Sequence, residues 1–249
     1  MKIRNYLIMF VSAIAFTSCQ ITENIYLQED GSGQIVYDID ASELMAMAGE
    51  QLGEMGKKNI DSTMTFKQLF EEKKDSIAKM PLEEQQRLKK FEDVSMHMQM
   101  NAAQKVFKIS LLNNFKKAAE LQDMMQAMKV MKSLDNKAAQ ADNPLGSMMD
   151  SGANTDLKYS FDGKTFRRSL KITDPKLNGK SKDSTGMVKM MFSGSKYILK
   201  YHFPKKVKSV SNPNALFSDD RKTITIPYSL VDYMEQPETM SFEVILDKK

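Results

Sequence analysis

The stretch Glu23–Asp40, ENIYLQEDGSGQIVYDID, decides the fold class. Ile25 and Leu27 alternate with polar neighbours, EDGSG has turn chemistry, and Ile35, Tyr37 and Ile39 alternate again, so the segment is predicted to be a β-hairpin. The same signature recurs. In VSMHMQMNAAQKVFKISLL, Val94, Met96, Met98 and Met100 share one strand face, and Phe107, Ile109 and Leu111 share another on the partner strand. DLKYSFDGKTFRRSLKI carries Asp162-Gly163 at its turn, a dipeptide that accepts positive φ at low cost. KYILKYHF aligns Tyr197, Leu199, Tyr201 and Phe203, KTITI follows a SDDR turn, and MSFEVIL aligns Met240, Phe242 and Val244. This second half reads as an antiparallel meander with one buried face.

Helical patterns lie between the hairpins. Asp40 and Glu43 have capping-box spacing before SELMAMAGEQLGEM, and Thr65 and Gln68 repeat it before TFKQLFEEKKDSIAKM. Pro81 opens a short third helix. A longer one is expected in FKKAAELQDMMQAMKVMKSL, where Leu121, Met124, Met125, Met128 and Met131 fall at helical spacing. The expected class is α+β: an antiparallel sheet built from hairpins with amphipathic helices packed on one face. Residues 19–134 hold the first hairpin, the helices and the second hairpin. Residues 135–155, rich in Ala, Asn, Asp, Gly and Ser, form a loop or linker, and 156–249 form the C-terminal β region. Whether that region shares a domain with 19–134 stays open.

Upstream of the hairpin, Lys2 and Arg4 precede an uncharged, mostly apolar run from Tyr6 to Phe16. The run is too short to span a bilayer and suits the core of a secretory signal over residues 1–18. Thr17 and Ser18 then lead into Cys19, the sole cysteine of 249 residues. This pattern resembles the lipobox of bacterial lipoproteins, with Phe16 where the family often has leucine. The resemblance implies that Cys19 takes a diacylglyceryl group and becomes the mature first residue. A thiol suits this chemistry because its thiolate is the nucleophile. Two or three acyl chains hold a soluble domain on a membrane, at ~0.8 kcal/mol per buried methylene. Gln20 is not the Asp that resembles an inner-membrane retention signal, and QITEN offers only Glu23 as an acid. The expected location is the cell envelope, on the outer membrane and facing the periplasm.

The formal charge is +4, and loss of the signal takes away two cations. Charges alternate in sign along the chain, as in FEEKKDSIAKMPLEEQQRLKKFED, with no basic block standing alone, which argues against nucleic acid as a partner. With Cys19 consumed by lipid, no thiol is left for a disulfide or a nucleophile.

The lipobox, the IYLQEDGSGQIVYDID hairpin and YILKYHFPKKVKSVSNPNALFSDDRKTITIPYSLVDY together resemble bacterial lipoproteins with an LppM-like domain, a group met in Bacteroidota-type bacteria. Asp30-Gly31-Ser32-Gly33 and Phe203-Pro204 carry the likeness, which covers the two ends of the chain and departs from it in the Met-rich helical middle. It implies a fold, an envelope location and an apolar ligand, and no catalytic residue.

The sharpest chemical candidate is MHMQM. Thioethers at alternating positions resemble the methionine motifs of periplasmic Cu(I) carriers, but strand geometry sends Met96, Met98 and Met100 to one face and His97 to the other. Flexible core filler is the plainer reading. His97 and His202 stand one in each half and make no metal-ligand spacing. Glu71-Glu72, Glu83-Glu84 and Asp219-Asp220 sit in strongly charged surroundings where both members stay ionised. No G-x-S-x-G elbow, phosphate loop or dinucleotide fingerprint occurs. The expectation is therefore a lipid-anchored, non-enzymatic envelope protein without a cofactor or bound metal. It would bind an apolar lipid ligand or an envelope protein, with Met96, Met98, Met100, Met124, Met128 and Met131 lining an adaptable apolar groove. Cu(I) binding and a purely structural role are the alternatives.

Overall fold

The computed structural model describes residues 19–43, 59–121, 134, 155–173, 190 and 192–248. Two sheets make the frame. The larger has eight strands in the order β10-β11-β8-β1-β2-β5-β4-β3: β1 (Gln20–Leu27), β2 (Gly33–Asp40), β3 (Asn59–Thr65), β4 (Ser95–Asn101), β5 (Val106–Phe115), β8 (Lys196–His202), β10 (Leu216–Phe217) and β11 (Thr223–Ser229). The smaller has the order β6-β7-β12-β9: β6 (Thr155–Phe161), β7 (Thr165–Ile172), β9 (Val207–Val210) and β12 (Phe242–Leu246).

The predicted hairpins form where the turn chemistry asks for them. β1 and β2 pair antiparallel from Gln20↔Asp40 to Leu27↔Gly33. Asp30 closes their turn by accepting hydrogen bonds from the Ser32 amide and hydroxyl at 2.9 and 2.6 Å, and Gly31 takes φ +84°. Gly33 is needed for a different reason: a Cβ there would stand 2.1 Å from the Tyr26 carbonyl oxygen. β4 and β5 pair with Met96, Met98 and Met100 opposite Leu111, Ile109 and Phe107. β6 and β7 turn at Gly163, φ +87°.

Three expectations are corrected. First, the sheet is not built from hairpins alone, because β8 lies parallel to β1, from Gln20↔Lys196 to Tyr26↔His202. Second, the C-terminal half is not one meander. β8, β10 and β11 extend the larger sheet, while β6, β7, β9 and β12 form the other. Strands from both halves of the chain therefore share one sheet. Third, a sheet as well as helices covers the buried face. Phe166 on β7 meets Tyr201 and Phe203 edge-on at 5.5 and 5.7 Å between ring centroids. The architecture is mainly β, roughly α+β.

Helices in the described residues are short: α1 (Phe66–Glu72), α2 (Lys74–Ile77), α3 (Leu82–Lys89) and α4 (Leu230–Glu235). The Thr65–Gln68 capping box starts α1, with the Gln68 amide donating to Thr65 Oγ1 at 3.3 Å and the Thr65 amide donating to Gln68 Oε1 at 2.8 Å. The expected single helix here is broken at Lys73, whose φ of −105° and ψ of 13° leave the helical well. β3, in the polar run NIDSTMT, has weak strand signals and pairs outside β4 at the sheet's edge. Among the described residues no helix is long and apolar enough to cross a membrane.

Candidate functional site

Every strand of the larger sheet has two faces, and the chemistry differs between them. Facing inward are Ile21, Glu23, Ile25 and Leu27 of β1, Ile35, Tyr37 and Ile39 of β2, and Tyr197, Leu199 and Tyr201 of β8, all buried. One member of that series is a carboxylate. Glu23 accepts hydrogen bonds from Tyr159 at 2.7 Å, from Tyr197 at 2.9 Å and from Tyr201, and pairs with Arg168 Nη2 at 3.3 Å.

Arg168 enters from β7, where it takes the inward phase between Phe166 and Leu170. Its Nη1 donates to the Met240 carbonyl at 3.0 Å, and its buried Nε finds no partner among the described residues. Tyr37 donates to the Tyr197 hydroxyl at 3.2 Å, and Tyr233 of α4 stacks on the Tyr197 ring at 4.7 Å. The cluster joins β1, β2 and β8 of one sheet to β6 and β7 of the other.

Burial alone would raise the Glu23 pKa. The Arg168 charge and the hydrogen bonds from Tyr201, Tyr159 and Arg168 outweigh it and hold the carboxyl below its ordinary range. Tyr197 and Tyr201 are pushed well above the ordinary phenol value, by burial first and by the Glu23 charge next. These phenols stay protonated and serve as donors. The set can therefore fix a charge between two sheets, and its polar groups are closed to solvent.

On the outward face, an open groove of about 490 Å³ runs across β1, β2, β5 and β4, lined by Thr22, Asp38, Asp40, His97, Lys108 and Ser110 among others. Its polar groups are already paired. Asp38 accepts from Ser110 Oγ at 2.6 Å and Asn24 Nδ2 at 3.2 Å, His97 Nε2 meets Asp61 Oδ1 at 2.8 Å, and Lys108 faces Asp40 at 3.4 Å. Burial opposes ionisation of Asp40, but its Ser42 hydrogen bonds and Lys108 lower its pKa. The His97 hydrogen bond does the same for Asp61. Among the described residues no group of three or more His, Cys, Asp or Glu is arranged to hold a metal ion.

The methionines predicted as a groove fall in two places. Met96 and Met100 are buried and Met98 half-buried on the inward face of β4, with His97 exposed on the other side as the strand period requires. Met64 of β3 stands directly opposite Met96. Met124, Met128 and Met131 lie outside the described residues. Cys19, just ahead of β1, is buried, and its carbonyl accepts from the Lys196 amide at 3.0 Å. Burial, aided by Asp40, pushes its thiol pKa up to about 12.

Compared with known protein families and with curated proteins, the chain matches none. Among solved structures it is similar to the folded domain of LppM from Mycobacterium tuberculosis, determined by NMR. The identity is 9%, the match covers 92% of this chain and 91% of that one, and the TM-score is 0.34.

His202 is half-buried. It stacks flat on Tyr26 at 4.3 Å and shares Nδ1 with Thr223 Oγ1 at 3.0 Å, and burial, with Lys200, lowers its pKa. Sequence reasoning missed the Glu23–Arg168 cluster, treating Glu23 only as an acid after the cysteine. The available signal was phase: Glu23 falls among Ile21, Ile25 and Leu27, and Arg168 between Phe166 and Leu170. A charge in the apolar phase of a strand calls for a buried partner.

Proposed function

We propose that the chain is a lipid-anchored envelope protein, acylated at Cys19, that performs no reaction of its own and binds an envelope protein through the outward face of its larger sheet. One observation carries this reading. The outward face is an open groove of about 490 Å³, lined mostly by polar residue types and spread over four strands, whereas the inward face is filled by core side chains, Met96 and Met100 included. Open grooves with paired polar groups suit a partner that brings its own complementary donors and acceptors. With its thiol buried and held neutral in the folded domain, Cys19 would take its lipid before the chain folds. The apolar-ligand version needs the methionine face to open. The Cu(I) version is favoured by one detail, the cross-strand Met64–Met96 pair beside Met98, which brings three thioethers to one edge of the sheet.

Native mass spectrometry of the protein extracted from its own membranes in mild detergent tests the proposal. Expected are a diacylglyceryl mass on Cys19 and a bound polypeptide that is lost when Thr22 and Ser110 become Arg. A bound lipid that survives those changes supports the apolar ligand instead, and one or two copper ions support the thioether site. An unmodified Cys19 with no bound mass overturns the proposal.

A further inference from the structure

At the finishing end of β8 the chain gathers a second, different surface. The segment Phe203–Lys222 holds five cations against two acids. Backbone hydrogen bonds draw its two ends together: the Phe203 amide donates to the Lys222 carbonyl at 2.8 Å, and the Val207 amide to the Arg221 carbonyl at 2.8 Å. Lys205, Lys206, Arg221 and Lys222 are thus neighbours, and none makes an ion pair with a described residue. Of the two acids, Asp220 is occupied by Ser218 Oγ at 2.6 Å and by the Lys222 amide at 3.0 Å, with the Lys222 charge also acting on it.

Two large apolar side chains stand in the same place. Leu216 is 61% exposed and Phe217 40%, the pair that makes up the edge strand β10. They point to opposite faces of the sheet, opposite Thr225 and Ile224, and are exposed at an edge outside which no strand of the described residues lies. Arg221 is fixed over the Phe217 ring at 4.5 Å, with its Nη2 donating to the Val207 carbonyl at 3.0 Å. Cations and exposed apolar side chains are thus brought together on one edge of the sheet.

We propose that this edge is a docking surface for an anionic lipid surface, with Leu216 and Phe217 entering the interface between acyl chains and headgroups and Lys205, Lys206, Arg221 and Lys222 meeting the anionic headgroups. Charge complementarity selects an anionic partner. The exposed Leu216–Phe217 pair selects a lipid over a soluble polyanion, which would have no use for it. The surface is separate from the outward groove and from Cys19. β1 and β8 run parallel, so Cys19 lies at the starting end of the sheet, ~20 Å away along strands that rise ~3.3 Å per residue.

The test is vesicle co-sedimentation of the full chain carrying Cys19→Ala, which cannot be acylated. Vesicles of phosphatidylcholine alone are compared with vesicles holding phosphatidylglycerol as well. Expected are tighter binding to the anionic vesicles, weakening with salt, a loss of roughly thirty-fold in Lys205→Ala/Lys206→Ala, and a further loss in Leu216→Ser/Phe217→Ser. All these positions are exposed or half-buried, and unchanged far-UV circular dichroism establishes that the variants fold. Equal binding to both vesicle types, or variants that bind like the parent, overturns the proposal. So does binding to a DNA oligonucleotide as tight as to anionic vesicles that Leu216→Ser/Phe217→Ser leaves unchanged, which would make the edge a polyanion site.

Discussion

Glu23 and Asp38 are carboxylates on neighbouring strands of one sheet, one residue out of register, and they live in opposite worlds. Glu23 points inward, where three phenols and a guanidinium surround it and water is excluded. Asp38 points outward into an open groove, with Ser110 and Asn24 as partners. The strand period alone separates them. The lesson concerns where each charge sits: the inner one is committed to holding two sheets together, and the outer one, paired with Ser110 and Asn24, lines a groove open to solution.

The largest expected effect breaks the inner half of this comparison. Arg168→Met leaves a buried carboxylate without its counter-charge, and the domain should lose about 3–5 kcal/mol in urea denaturation. The double variant Glu23→Gln/Arg168→Met should be more stable than Arg168→Met alone, because no charge is then stranded. Next in size is Tyr201→Phe, which removes a donor to Glu23 and should cost about 1.5–3 kcal/mol, the range for hydrogen bonds to charged groups. If Arg168→Met costs no more than an exposed substitution, the cluster does not bind the sheets together.

Acid sharpens the same point, and its sign can be worked out. The folded Glu23 pKa lies below its unfolded value, so the folded state binds fewer protons. Its contribution is complete above the ordinary glutamate range and is lost as pH falls through the folded value. Arg168→Met takes away two of the influences that lower the Glu23 pKa, the guanidinium charge and its hydrogen bond, while burial, the largest single influence, still raises it. The folded Glu23 pKa should therefore move up, and the stability that Glu23 loses in acid should shrink. Urea midpoints between pH 3 and 7 for parent, Arg168→Met and Glu23→Gln separate these behaviours, since Glu23→Gln should remove this component of the pH dependence.

Hairpins were legible because their instructions are local. Asp30-Gly31 and Asp162-Gly163 specify turns, and Ile35, Tyr37 and Ile39 specify a face, all within a few residues. The capping box at Thr65 was legible for the same reason, and Thr65→Ala should cost about 1 kcal/mol. The parallel β1–β8 pair has no such instruction, since Gln20 meets Lys196 across most of the chain, and nothing in either strand names the other. The division of the second half between two sheets was hidden likewise. Tyr197, Leu199 and Phe242 read equally well as inward residues of either sheet. The methionine face was legible as a face, while the Glu23–Arg168 cluster needed two out-of-place charges to be read as one pair.

The smallest effect tests the outer half. His97 and Asp61 meet at 2.8 Å on the exposed face, with side chains 47% and 68% exposed, so the contact competes with water and salt at every moment. His97→Ala should leave the urea midpoint unmoved at low and high salt alike. That null result carries information because the His97 contact is shorter than the 3.3 Å Arg168–Glu23 contact, whose loss should be severe. Distance therefore does not rank the two pairs; desolvation does. A clear shift in His97→Ala would mean that the outward face is ordered as a network, and the groove would then have to be treated as a built site rather than as solvated surface.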